Sequence, residues 1–243
     1  MENSFYNCLK VSKTMFETLV IEATYAGALF LWVLFVVGVL TYFFYKAMIK
    51  KVPDNVAVYY NRKMIHILAG GIIGYLVPFL FSTPLYPLSL SMILGVFTLI
   101  PHLINKPMYW FQTRDNAYEV HFCLSWGLIL TAGWVLTNGN FWFGVIPILF
   151  MALGDAATGL VRNIMFKRRT KSWWGNLAMA IVNVVIGLKL ALPGVIAGLV
   201  SSIIEHFEFG PIDDNITVPI SSFLILMIFY ILMPEAFSIL NLY

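Results

Sequence analysis

The sequence predicts an all-α fold, a polytopic membrane bundle of seven or eight helices, and three observations predict it. Of 243 residues, 60% are hydrophobic and 11% charged, with a mean hydropathy of +0.84, a composition that cannot give a soluble core a polar surface. The apolar residues gather in runs close to the roughly 20 residues that one helix needs to cross a hydrocarbon core. The charged residues gather between those runs.

In chain order the runs are 22–45, 64–81, 87–104, 118–137, 141–164, 176–192, 194–206 and 217–232. The run 194–206 is short. At about 1.5 Å per residue it cannot cross unless it borrows from its neighbour, which leaves a half-inserted segment as the other reading. Residues 1–21 form an N-terminal tail with no cleavable signal pattern, because the first apolar run is too long for one and no small-residue cleavage site follows it. Cys8 and Cys123 fall in the tail and inside a helix, so no disulfide framework is implied. No linker, low-complexity tract or repeat divides 1–243, so a single membrane-embedded domain is expected.

Charge sets the orientation, since Lys and Arg concentrate in cytoplasmic loops. Placing the loop after the first helix inside gathers Lys46, Lys50, Lys51, Arg62, Lys63, Lys106, Arg114, Arg162, Lys167, Arg168, Arg169 and Lys171 on that side. Only Lys10, Lys13 and Lys189 remain outside. The polar constellations then share one inner face, while Ser82-Thr83-Pro84 and Thr137-Asn138-Gly139-Asn140 make short uncharged outer turns.

Four constellations carry chemistry. Arg62, Lys63 and His66 open the second helix. Arg62 and His66 are four apart and share a helical face, and an ionisable group a turn inside a membrane helix is a functional candidate. Gly154-Asp155-Ala156-Ala157-Thr158-Gly159 closes the fifth helix with a carboxylate that would cost roughly 2.5–3.5 kcal/mol if uncompensated. Asp155 suits Mg²⁺, which takes one or two carboxylates plus substrate phosphates; an Asp155–Arg162 pair at helical spacing is the structural alternative. Lys167, Arg169 and Lys171, followed by Ser172, Trp173, Trp174 and Gly175, combine cations with a helix start and suit a polyphosphate; a lipid-binding basic segment is the plainer reading. Glu205, Asp213, Asp214 and Asn215 supply further acids at a helix end, in a segment that would also serve as a capped turn.

Arg62-Lys63-x-x-His66, Gly154-Asp155-x-Ala157-x-Gly159, Lys171-Ser172-x-x-Gly175 and Glu205 followed by Asp214-Asn215 and Pro219, in that order, resemble the CTP-dependent polyprenol kinases, which include dolichol, phytol and farnesol kinases. The resemblance implies a membrane enzyme that moves the γ-phosphate of CTP, with Mg²⁺, to the hydroxyl of an isoprenoid alcohol. It departs where that family commonly has an acid before the glycine of the Lys-Ser motif, since Trp174 stands there. Glu205, Asp213 or Asp214 would then take over that carboxylate's role.

Phosphoryl transfer rests on alignment and neutralisation of charge. Accordingly Asp155, Asp214 and Asp213 are expected at the metal. Arg62, Lys63, Gly159, Lys167, Arg169, Lys171, Ser172, Gly175 and Asn215 are expected around the nucleotide. Asp155, His66 and Glu205 are the groups that could accept the hydroxyl proton. A diacylglycerol-type CTP kinase or a CDP-lipid cytidylyltransferase is the alternative within enzymes, although the Pro-Gly-His-Gly-Gly run associated with the latter is missing. Outside enzymes, His66, His102, His121 and His206 at inner helix ends suggest a metal-ion transporter. The expected partners are a membrane lipid alcohol and CTP, with no nucleic acid.

Overall fold

The computed structural model describes residues 2–166, 171–207 and 212–239, with side chains from residue 16 onward. Lys167 and Arg169, two of the expected phosphate ligands, lie outside the described residues. The structure is 83% helical and has no strand among the described residues. Among the described residues, seven helices are long and apolar enough to cross a membrane.

We number them α1 (Phe16–Met48), α2 (Asp54–Leu80), α3 (Leu85–Leu103), α4 (Tyr118–Leu136) and α5 (Trp142–Phe166). The sixth, Trp173–Ile204, is folded back on itself. Its arms are α6 (Trp173–Gly187) and α7 (Ala191–Ile204), and α8 (Asp214–Leu232) follows. Bulky apolar side chains such as Leu31, Val185, Ile231 and Leu232 stand exposed on outward faces, as expected of helices whose solvent is lipid.

α5 is the central element. Phe143 to Ala152 are all buried, so this helix is apolar all round, as a core helix must be. It lies against α4, α6 and α8, and it carries Asp155 just past its middle: the segment 154–159, expected to close this helix, is followed by further helix as far as Phe166. Three helices contain a π-helical turn, in which the Thr41, Ile72 and Asp155 N–H groups donate to the carbonyls five residues back, at Val36, Ile67 and Phe150. Such turns free backbone carbonyls and re-aim the residues after them. In α1 the freed Val37 carbonyl accepts from Trp110 Nε1 at 3.0 Å, and Asn61 Nδ2 donates to Thr41 O at 2.8 Å just beyond the turn. Asn61 also donates to Trp110 O at 2.7 Å, which fastens the loop between α3 and α4 across the end of the bundle.

The short run 194–206 is neither a full crossing nor a lone insert. α6 and α7, of 15 and 14 residues, are each about 21–22 Å long at 1.5 Å per residue and pack antiparallel as a hairpin. Ala191 makes the bend with φ of 54°. Gly187 and Gly194 let the arms touch by their backbones: a Cβ on Gly194 would sit 2.0 Å from the Gly187 carbonyl oxygen. The hairpin returns the chain, so Lys171 at the start of α6 and Glu205 after α7 meet at one end. Lys189, at the bend, lies over the Trp142 ring near the opposite end of α5.

The second helix begins ten residues before the apolar run that marks it, at Asp54. Its first three turns therefore carry Tyr59, Arg62 and Lys63 on helix, not on a loop.

Candidate functional site

One end of the bundle collects most of the charge that the membrane helices carry. Tyr59, Lys63 and His66 recur at positions i, i+4 and i+7 of α2 and so line one face. Lys63 is buried, and its Nζ donates to both Asp155 carboxylate oxygens, at 2.6 and 2.5 Å. His66 Nδ1 lies 3.2 Å from Asp155 Oδ2, off the line of a hydrogen bond. Its ring stacks on Phe122, centroids 4.3 Å apart. Gly159, one turn beyond Asp155, is where α2 comes closest. A Cβ there would lie 2.5 Å from the Tyr59 hydroxyl and 2.6 Å from Lys63 Cε, so this glycine makes the room that Lys63 needs to reach Asp155.

The partner of Arg162 is not Asp155. The seven-residue spacing allows that pair, but Arg162 forks onto Glu205 instead, both contacts at 2.9 Å. Its Nη2 also donates to Asn176 Oδ1 at 3.0 Å. A planar bidentate pair of this kind is the strong form of the ion pair, and here both members are buried. Asn176 Nδ2 donates to Glu205 Oε2 at 3.0 Å, and Lys171 Nζ reaches Glu205 Oε1 at 3.1 Å and the Glu205 carbonyl at 2.7 Å. Burial pushes the Glu205 carboxyl above its usual range, while Lys171 and Arg162 pull against it. Ser172 caps α6 by accepting from the Trp174 N–H, and Gly175 lies so close to Arg162 that a Cβ would sit 2.5 Å from Nε. Trp173 stacks on His206 at 4.0 Å.

Asp155, Glu205 and Asp214 meet. Each offers one carboxylate oxygen within 4.8 Å of the others. Among the described residues these three carboxylates are the group that could hold a divalent cation such as Mg²⁺, which takes few carboxylates and completes its shell with water and phosphate. Here the Asp155 oxygens accept from Lys63 and the Glu205 oxygens from Arg162, Lys171 and Asn176, so a metal would have to draw them closer and displace some of those donors. Asp213 stands apart from that set. It caps α8 by accepting from the Asn215 N–H at 3.1 Å and pairs with His121 at 2.9 Å. Burial raises its carboxyl, opposed by the His121 hydrogen bond. Asn215 Nδ2 donates to the Tyr118 carbonyl at 3.2 Å, tying α8 to α4.

Arg62 lies over the Tyr118 ring, 3.9 Å from its centroid. It stands between two spaces. On one side is a polar hollow of about 810 Å³, lined by Tyr59, Lys106, Gln112, Arg114, Tyr118 and Asn163 among others. On the other is an apolar slit with about 120 Å³ of free volume between α1, α2, α3 and α4, its walls running from Arg62 and His66 past Ala69, Ile73 and Val77 to Phe81.

Sequence reading missed Tyr59, Asn163 and Glu119. The helical spacing from Lys63 back to Tyr59 is a usable signal; nothing in the sequence marks Glu119 as a residue of the slit wall. Comparison of the chain with known protein families, with curated proteins and with solved structures finds no match.

Proposed function

We propose that this protein is a membrane lipid kinase that transfers the γ-phosphate of CTP to the hydroxyl of an isoprenoid alcohol, working at the cytoplasmic boundary of the bilayer. The observation that carries the reading is the position of Arg62, in the wall of both the polar hollow and the apolar slit. A charged donor that arrives from water and an apolar acceptor that arrives from lipid would meet there.

Asp155 and Asp214, with Glu205 beside them, would hold Mg²⁺, which when bound neutralises phosphate charge as the transfer proceeds. Arg62, Lys63 and Lys171 would hold the triphosphate, with Lys171 anchored on Glu205 and thereby kept at the entrance. The alcohol oxygen attacks the γ-phosphorus, the bond from phosphorus to the β,γ-bridging oxygen breaks, CDP leaves, and the hydroxyl proton passes to a base. Asp155 and Glu205 have cations on their carboxylate oxygens. His66 lines the slit, with its Nδ1 turned toward Asp155 at 3.2 Å. γ-Phosphoryl transfer and the alternative of cytidylyl transfer would use the same acids and cations, so they are separated by product.

The histidines tell against a transition-metal transporter. His66 stands by Asp155, His102 pairs with Glu119, His121 pairs with Asp213 and His206 stacks on Trp173. Four histidines on four different partners share no site.

The test is purified protein in detergent with γ-labelled CTP, ATP, GTP or UTP, Mg²⁺, and a panel of geranylgeraniol, phytol, polyprenols and diacylglycerol. Label from CTP is expected on an isoprenoid alcohol. Label on diacylglycerol alone selects the diacylglycerol-type kinase, and lipid label that appears only in a parallel reaction with α-labelled CTP selects the cytidylyltransferase; no γ-label on any acceptor removes the kinase reading.

A further inference from the structure

The slit is almost wholly apolar, and its few polar side chains are unequal. Ser91 Oγ donates to Leu88 O and Thr98 Oγ1 donates to Leu94 O, so both are satisfied within their own helix. His66 Nδ1 and Glu119 Oε2 are buried without a hydrogen-bond partner. Both residues belong to the slit, at the end marked by Arg62. Phe122, which stacks on His66, is one helical turn from Glu119.

Glu119 is held in place by one oxygen. Its Oε1 pairs with His102 Nε2 and accepts from Gln112 Nε2 at 2.7 Å. Gln112 is fixed in turn, donating to Thr98 O at 2.8 Å and accepting from the Met108 N–H at 2.7 Å. Two donors therefore orient the carboxylate and leave the second oxygen unsatisfied. An unpaired buried acceptor is costly, and more so when it carries charge. The other donors that line the slit, Arg62 and the Cys123 thiol, make no hydrogen bond to it, so a ligand hydroxyl is a donor that would satisfy it.

We propose that this end of the slit recognises a hydroxyl: Glu119 Oε2 accepts the hydrogen of a long-chain lipid alcohol whose tail lies along α2 toward Val77. This rests on the reading of the slit as the seat of the acceptor, and it adds the group that distinguishes an alcohol from any other apolar chain. From His66 to Val77 the helix rises about 16 Å at 1.5 Å per residue, the stretch over which a tail meets only apolar wall.

The experiment compares geranylgeraniol with its methyl ether, which keeps the tail and the oxygen but has no hydrogen to donate. Both compete against labelled geranylgeraniol on purified full-length protein in detergent, without nucleotide. Wild type is expected to prefer the alcohol by about tenfold or more, the effect of one hydrogen bond to a charged group. Glu119→Gln keeps an amide oxygen for His102 and Gln112 and turns an N–H₂ toward the slit. That donor serves both ligands, so the preference should fall to near onefold while the ether binds at least as well as to wild type. Retained ether binding shows that the variant is folded. Glu119→Ala should lose the preference by losing affinity for the alcohol alone. No preference in wild type, or tenfold preference retained in Glu119→Gln, overturns the proposal. Wild type that binds neither ligand overturns it as well. Selective alcohol binding without phosphate transfer from CTP would instead leave this site standing and remove the kinase reading.

Discussion

Lys63 and Asp155 form a buried ion pair, and that changes what a substitution at Asp155 does. Considered alone, Asp155→Asn removes a charge from the membrane boundary and should ease insertion. In the structure it leaves the Lys63 ammonium buried and unpaired, which costs about 3–5 kcal/mol. The expected outcome is loss of both phosphate transfer and thermal stability in Asp155→Asn, whereas Asp155→Asn combined with Lys63→Met regains the unfolding temperature and not the transfer. Unfolding in detergent and transfer from γ-labelled CTP read the two effects apart; transfer by the double variant would show that Asp155 holds no metal. The residues of this pair were legible in sequence because a Lys and an Asp inside membrane helices each demand a partner. The pairing itself was not. Arg162 sits at the right spacing for Asp155, but Glu205, 43 residues further on, reaches it first once α6 and α7 fold back.

That fold-back is the element on which the site depends. Lys171 and Ser172 precede one arm and Glu205 follows the other, so the separation of the arms sets the distance between cation and acid. Gly187 and Gly194 are in backbone contact, and close approach through small residues is how membrane helices pack without a hydrophobic drive. Gly194→Leu should force the arms apart, lower the unfolding temperature by the equivalent of about 1–3 kcal/mol and reduce transfer, while Ile181→Leu on the exposed face of α6 should change neither. Wild-type unfolding and activity in Gly194→Leu would mean that the contact at the bend is dispensable. Apolar runs told where most helices lie, since length and hydropathy are local. They divided the stretch into 176–192 and 194–206, beside the bend that falls on Ala191, but could not tell that the two arms fold back on one another, because that depends on the backbone contact of Gly187 with Gly194. The π-helical turns before Asp155 and from His66 onward were equally silent; they lie against each other where α2 meets α5.

At the scale of the whole molecule, charge and chemistry share an axis. Lys63, Arg162, Lys171, Asp155, Glu205 and Asp214 cluster at one end of the bundle, and Lys189 lies at the other. Twelve of fifteen Lys and Arg residues fall on the inner side of the sequence-derived topology, and that bias orients a membrane protein with its basic loops in the cytoplasm. A kinase that draws a nucleotide from the cytosol and a lipid from the bilayer needs this arrangement, because a triphosphate cannot cross to the far side. The prediction is made with single cysteines in a background lacking Cys8 and Cys123. Asn138→Cys, in the turn between α4 and α5 at the far end, should react with a membrane-impermeant thiol reagent on intact cells. Lys106→Cys, in the loop that lines the hollow beside Arg62, should react only after the membrane is opened. Labelling of Lys106→Cys from outside would invert the molecule, place the acids and cations away from the nucleotide supply, and leave the proposed transfer without its donor.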